Sequence, residues 1–364
     1  MDKKRLALLF GGKSAEHEVS IRSAYNILNS IDQDKYCIYL IGIDKKGIWH
    51  LCDHRYFLSL GRKSAQFDIS TSGPQLAVIP GQAHNSLLIA SSGEKLEEIQ
   101  VFLPVLHGPY GEDGTLQGLL KCLDRPFVGA DVLGSAVGMD KEVMKKLLKD
   151  KGLPVGRFKV YHRSERNSIV FSRLKSDLGL PIYIKPVNLG SSVGISRVEA
   201  EEQLEEALDE AFLFDHRIII EENIIGREIE CSVLGNDNPK ASLAGEVLAE
   251  GHFYSYDAKY ISENAARTVY PAKLTSMELS QIQKLAIQAY KALYSKGLAR
   301  MDFFLTEQGP IINEINTLPG FTSISMYPKL WEISGIDCTS LIDKLIELAE
   351  ERYEADKKLK TSYQ

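Results

Sequence analysis

Residues 300–326, RMDFFLTEQGPIINEINTLPGFTSISM, decide the fold reading, because two runs rich in Phe, Ile, Leu and Met flank a segment carrying Gly309 and Pro310. Such a pattern predicts a β-hairpin with a loop of about five residues over 306–310. Centring the turn on Gln308 sets Asp302 opposite Glu314 and Arg300 opposite Asn316. Side chains alternate along a strand, so Arg300, Asp302, Glu314 and Asn316 share one face, while Met301, Phe303, Leu305, Ile311 and Ile315 take the other. Two carboxylates directly opposite each other repel unless a cation sits between them. Two carboxylates and an amide oxygen are too few for a closed calcium cage. They suit Mg2+, which completes its octahedron with water and substrate phosphates. The plainer alternative is a surface hairpin whose acids face water or pair with Arg300. The run Asn-Glu-Ile-Asn-Thr-x-Pro-Gly directly after a strand weighs against it.

Outside the hairpin, composition bounds the rest. A chain of 364 residues has room for roughly two or three domains. Its 44% hydrophobic and 25% charged residues are ordinary for a soluble globular protein. A net charge of -6 argues against a general nucleic-acid binder, which needs a basic face to displace counterions. The five cysteines include no C-x-x-C pair, so neither a zinc ribbon nor a disulfide framework is predicted, and reduced cytoplasmic thiols are expected. The apolar run LALLF stops at Gly11-Gly12, too short for a signal peptide, and no stretch reaches the length of a membrane span. A soluble cytoplasmic protein with no membrane partner is expected.

The strand RLALLF (5–10), the turn Gly11-Gly12-Lys13-Ser14 and a helix over 15–28 form a doubly wound α/β opening. The turn is not a P-loop, since Ala7 stands where that motif needs its first glycine, and the dinucleotide fingerprint is missing too. Its glycines can still bind an anion or place Glu16. A second strand, 36–43, leads into a hairpin turn at 44–47, and 50–95 elaborate the same domain without clear periodicity. The buried strand 101–106 delivers His107-Gly-Pro-Tyr-Gly-Glu-Asp-Gly at its carboxyl end, where open α/β sheets bind ligands. Asp140 caps a basic helix; its lysines read as a solvated face except Lys141, which can face phosphates. An α+β unit follows, with strand FKVYH, a helix over 171–178, and strand LPIYIK running into a Gly/Ser-rich loop, 185–196. Backbone N–H groups and hydroxyls of that loop can fold over phosphates beside Lys185. A flexible hairpin loop is the alternative. Segment 199–213 is an amphipathic helix with Leu204, Leu208 and Phe212 buried. Residues 217–235 give two strands about a turn at Gly226, with Glu221 and Glu222 ending the first, either as nucleotide acceptors or as surface charge. The polar stretch 250–270 reads as a lid. A capping box at Thr275 and Glu278 opens a helix that ends by Gly297, and a last helix covers 339–353.

Together, Gly11-Gly12-x-Ser-Ala-Glu16-x-Glu-Val-Ser20, His107-Gly-x-x-Gly-Glu-Asp-Gly, Met139-Asp-Lys141, Lys185-Pro with Gly190-Ser-Ser-Val-Gly194, Ala258-Lys-Tyr260 and Asn313-Glu-Ile-Asn-Thr-x-Pro-Gly-Phe-Thr322 resemble the D-alanine-D-alanine ligases of the ATP-grasp superfamily. The resemblance spans the chain except roughly 50–95. It implies an α/β and α+β architecture: an N-terminal substrate-binding domain (1–132), a central ATP-grasp subdomain (133–219) and a C-terminal one (220–364). It implies a cytoplasmic enzyme of peptidoglycan synthesis, a homodimer, that joins two D-alanines with ATP and two Mg2+, for which Mn2+ can substitute. Asp302, Glu314 and Asn316 would hold the metals; Lys141, Lys185 and Lys259 would contact phosphates; Glu221 and Glu228 would contact adenine and ribose. Arg300 and the Gly320 N–H would form an oxyanion hole. Glu16 would take the first substrate's ammonium, Ser325 and the Met326 N–H the second's carboxylate, and His107 would lie near the reacting carboxylate as acid or base. Ser191, Tyr260 and Glu16 would form a hydrogen-bonded set tying the lid to the other domains. Two other readings are a ligase making D-alanyl-D-lactate and a catalytically silent ATP-binding module.

Overall fold

The computed structural model describes residues 3–81, 86–191, 193–249, 266–360 and 362. In chain order the first unit contains β1 (Lys4–Gly11), α1 (His17–Ser30), β2 (Tyr36–Ile43), β3 (Trp49–Leu51), α2 (His54–Ser59), β4 (Leu76–Val78), β5 (Leu87–Ile89), β6 (Val101–Pro104) and α3 (Thr115–Cys122). Its sheet runs β3-β2-β1-β6, with β1 parallel to both β2 and β6. Central β1 and neighbouring β6 therefore end side by side, and the loops after them meet at the carboxyl edge. Gly11 has φ +91, and a Cβ there would lie 2.2 Å from the Ile43 carbonyl oxygen, so only glycine lets the chain leave β1 against β2.

Residues 50–95 form more than an elaboration. Phe57, completely buried, touches Phe10 and Phe67 at ring-centroid distances of 5.3 and 4.8 Å and meets Tyr25 of α1 edge-on at 6.0 Å. This aromatic cluster fixes the segment after α2 against α1.

Two helices, α4 (Val132–Met139) and α5 (Lys141–Asp150), lead to β7 (Phe158–His162), α6 (Phe171–Leu178), β8 (Ile182–Pro186), β9 (Ser196–Val198), α7 (Leu204–Phe214) and β10 (Arg217–Glu222). As expected, the Asp140 side chain accepts from the Val143 N–H at the start of α5. Leu204, Leu208 and Phe212 are buried on α7. The antiparallel order is β7-β10-β8-β9. The last unit holds β11 (Arg227–Gly235), β12 (Lys240–Ala249), β13 (Ala266–Val269), α8 (Ser276–Ala292), β14 (Gly297–Thr306), β15 (Gly309–Asn316), α9 (Met326–Ile333) and α10 (Cys338–Lys357), with sheet order β13-β12-β11-β14-β15. The two strands of 217–235 do not form a hairpin: β10 lies in the central sheet and β11 in the last, so the expected boundary at 219/220 falls inside β10. The last helix is longer than the expected 339–353.

The β14–β15 hairpin pairs Asp302 with Glu314 and Arg300 with Asn316, as expected, but by another route. Thr306 faces Gly309, leaving a two-residue loop in place of the expected five, and the register shifts between Asp302 and Phe303. Ile312, fully buried, pairs with Phe303, so Asn313 is the extra residue of a bulge. Ile311, expected in the core, is only half-buried and pairs with Phe304. Pattern and turn length compensate, which a sequence centred on one turn residue does not reveal.

One core joins the ends of the chain: Leu6, Leu8, Phe10 and Leu103 of the first sheet pack with Leu341, Ile342, Leu345 and Ile346 of α10. Among the described residues no helix is long and apolar enough to cross a membrane. Phe57→Ala is expected to lower stability by about 3–5 kcal/mol, measured by denaturant unfolding; a loss within experimental error would show that Phe57 does not anchor this segment.

Candidate active site

A cavity of about 830 Å3 opens where the three units meet. The C-terminal sheet supplies one wall. Glu230 pairs with Asp302 and Ser232 with Arg300, extending the hairpin's polar face across three strands. Glu228, Glu230, Arg300, Asp302, Glu314 and Asn316 all line the cavity. The Arg300 guanidinium forks onto Asp302 with two bonds of 2.7 Å and lies 3.1 Å from Glu230. The Asn316 side-chain oxygen accepts from the Leu318 N–H at 3.1 Å, aiming the amide by a bond to its own loop.

Opposite, the loops after β1 and β6 bring Glu16 and His107 to the same cavity. The Glu16 carboxylate lies 3.2 Å from the point where a Gly108 Cβ would sit and 3.7 Å from the corresponding point at Gly190. The Gly/Ser-rich loop therefore approaches Glu16, and Ser191 lines the cavity in a left-handed conformation, φ 54, a conformation uncommon for a residue with a Cβ. His107 is buried. Its Nδ1 lies 3.1 Å from the Leu318 carbonyl oxygen, which can only accept, so Nδ1 carries the proton. Burial depresses the His107 pKa despite the nearby Glu16 carboxylate, which favours a neutral ring.

Lys141 reaches the cavity from α5 and donates to the Leu189 carbonyl; burial lowers its pKa, while Glu314 acts against that shift. Lys185 and Glu221 face each other instead, at 2.6 Å, and Glu221 also binds Lys145 at 2.8 Å. Burial alone would raise the Glu221 pKa, but the two ammonium groups more than offset it and hold the carboxylate well below its ordinary range. Glu222 pairs with Arg157 at 2.6 Å. Gly320, Ser325 and Met326 line the cavity on the far side of the hairpin. The Ser325 hydroxyl accepts from the Thr322 N–H at 2.9 Å at the mouth of α9, and a Cβ on Gly320 would lie 2.9 Å from it. Lys259, Tyr260 and most of the expected lid fall outside the described residues.

Three residues escaped the sequence reading. Lys145 is buried, not solvated; its spacing four residues after Lys141, on one helix face, was the available signal. Glu230 alternates with Glu228 along one strand. Glu112 lies in the loop after β6 and lines the cavity, its carboxylate accepting from the Gly108 N–H at 2.6 Å. Burial and the Glu16 charge push its pKa up to about 8.

The donor set on the hairpin fits Mg2+. Among the described residues no three His, Cys, Asp or Glu side chains form a metal cage. Asp302, Glu314 and the Asn316 amide instead offer a partial hard-oxygen set open to the cavity, with coordination positions left for water or phosphate.

A D-ala D-ala ligase N-terminal family model matches residues 5–130, and the C-terminal model matches 147–347. The chain belongs to the D-alanine–D-alanine ligase family. It is 52% identical over 361 residues to D-alanine--D-alanine ligase of Oceanobacillus iheyensis, covering 99% of both chains. With D-alanine--D-alanine ligase A of Escherichia coli K12 it shares 50% identity over 363 residues, covering 100% of both. Among solved structures, the Coxiella burnetii D-alanine-D-alanine ligase superposes with a TM-score of 0.87 at 39% identity, over 98% of this chain and 97% of that one. The VanG D-Ala:D-Ser ligase of Enterococcus faecalis gives 0.84 at 33% identity, over 96% and 100%. These neighbours confirm the ATP-grasp architecture for this ligase-family chain.

Because Glu221 neutralises two buried lysines, Glu221→Gln is expected to destabilise the protein by about 3 kcal/mol at neutral pH. The folded pKa is depressed, so the contribution is present above the unfolded carboxylate pKa of about 4 and fades as pH falls through the folded value. Chemical denaturation of both proteins from neutral to acid pH should show the gap narrowing; a gap constant with pH would exclude the charge explanation.

Proposed function

We propose that this chain joins two D-alanines to D-alanyl-D-alanine, using ATP, for peptidoglycan precursors. The reading is carried by one observation: Arg300, Asp302, Glu314 and Asn316 share one strand face across a cavity that also holds Lys141, Glu16 and His107. In the reaction, a carboxylate oxygen of the first D-alanine attacks the γ-phosphorus, ADP leaves, and a D-alanyl phosphate forms. The amine of the second, having lost a proton, attacks the acyl carbon and inorganic phosphate leaves.

Each residue acts through its charge or its hydrogen bonds. Glu16 holds the first ammonium, while Lys141, Lys185 and Lys259 steady the phosphates. Glu221 sets Lys185 by the ion pair described above, and Glu221 and Glu228 belong to the adenine and ribose contacts. Arg300 and the Gly320 N–H stabilise charge growing on the acyl oxygen. Ser325 and the Met326 N–H, at the start of α9, receive the second carboxylate. His107 is neutral with Nδ1 occupied, so it serves as an acceptor and not as a proton donor at rest. Two Mg2+ (or Mn2+) held by Asp302, Glu314 and Asn316 would offset phosphate charge. We further take the enzyme to be cytoplasmic and homodimeric, with an N-terminal unit over 1–132 and the central unit, from 133, extended past 219 to the end of β10.

A D-Ala:D-Ser ligase stands among the structural neighbours, so acceptor choice needs its own account. Tyr260 at the Ala-Lys-Tyr position would hydrogen-bond Ser191 and Glu16 and keep the acceptor site polar; a polar site rejects analogues that leave its groups unpaired.

ADP release should require D-alanine and yield the dipeptide; release that ignores D-alanine would favour the silent ATP-binding module. Glu314→Gln should lower turnover by at least ~10²-fold, as expected when a main electrostatic stabiliser is lost. Near-normal turnover at saturating Mg2+ would remove Glu314 from the metal set. Tyr260→Phe should gain D-alanyl-D-lactate synthesis at neutral pH, resolved by chromatography of mixed-acceptor reactions; equal depsipeptide from both proteins would promote the D-lactate ligase reading.

A further inference from the structure

Ser23 lies on α1 roughly two turns after Glu16 and is completely buried. Its hydroxyl meets two segments from opposite ends of the chain. With Nδ1 of His107 committed to the Leu318 carbonyl, Nε2 is the acceptor, and Ser23 Oγ lies 3.3 Å from it and donates. The Phe321 N–H donates to the same oxygen at 3.2 Å. The oxygen is also 4.0 Å from the position of a Gly320 Cβ. One hydroxyl thus spends its proton on the imidazole and a lone pair on the loop that follows the metal hairpin.

We propose that Ser23 is a positioning residue for the ligation, holding the His107 ring through Nε2, opposite the Leu318 carbonyl that fixes Nδ1–H, and anchoring the Gly320–Phe321 peptide at the cavity wall. The proposal rests on the ligase reading for its catalytic consequence, but its geometry does not. Two buried groups depend on Ser23: the imidazole Nε2 and the N–H of Phe321, which is 3% exposed. Alanine would leave both without their partner, and a buried unpaired group carries its desolvation cost. The hydroxyl proton also favours the neutral ring, in the same direction as burial. Without it, His107 takes up a proton at higher pH, and the ring and the Gly320 loop move independently.

Long-range 1H–15N spectra of the full chain test this, with the His107 signals assigned by their loss in His107→Gln. Wild type should show the Nδ1–H pattern at neutral pH. Ser23→Ala should keep the Nδ1–H pattern set by Leu318 but lose the hydrogen-bonded Nε2 shift, and titrate at higher pH. Turnover should fall on the order of tenfold to a hundredfold, the size expected of lost alignment. The KM for ATP should change little, and the acid limb of the kcat profile should move to higher pH. Ser23→Cys, nearly the same size and a weak donor, should be intermediate and serves if the alanine variant does not fold. An unchanged Nε2 shift and acid limb in the variant overturn the proposal, even if turnover drops through lower stability. If wild type releases no ADP with D-alanine, the ligase reading fails, while the Nε2 shift still decides the Ser23 link.

Discussion

Crowding of like charge around the β14–β15 hairpin is the constraint on which the site depends. Asp302 and Glu314 face each other directly, with Glu228 and Glu230 on the next strand, and Glu16 and Glu112 across the cavity. Arg300 answers part of this by forking onto Asp302, and Lys141 by standing opposite Glu314. Burial, together with the Glu16 charge, pushes the Glu112 carboxyl up to about 8. The hairpin's carboxylate and amide oxygens make a hard-donor set of the kind that suits a divalent cation.

Positive charge is handled differently. Lys145 and Lys185 are buried, and both lean on Glu221. A buried ion set of this kind stabilises little against an apolar replacement, yet breaking it is costly. Its value lies in location: α5, β8 and β10 each contribute one member, so the lysine beside the Gly/Ser-rich loop is held by the central sheet before any phosphate arrives. Preorganised charge avoids reorganisation when the reaction occurs.

Shape follows from where the chain ends lie. Helix α10 packs its Leu341, Ile342, Leu345 and Ile346 on the first sheet, so the C-terminal unit grips the N-terminal one through a shared core. Leu318 and Phe321 belong to that same core, and their backbone bonds His107 and Ser23 respectively. The aromatic cluster around Phe57 brings Gly61 and Ser64 to the rim of the same cavity. The weakly patterned 50–95 region thereby becomes a wall of the site.

Much of this was legible in the amino-acid order alone. Alternation placed Arg300, Asp302, Glu314 and Asn316 on one face, and strand, glycine turn and helix announced the doubly wound opening, because local geometry and side-chain period act over a few residues. Asp140 and Thr275 marked helix starts for the same reason. What only the tertiary structure decided involves partners far apart in sequence. The bulge at Asn313 moved Ile312 into the core in place of Ile311, since turn length and strand pairing trade against each other. Strands β10 and β11 parted into different sheets across Gly226. Lys145 became a buried partner of Glu221, Glu112 acquired its charge neighbours, and Ser23 met His107 and Phe321. Apart from the helical spacing of Lys145 on Lys141, none of these has a periodic signature, because a long-range contact depends on how whole elements pack, and a single residue type is compatible with many packings.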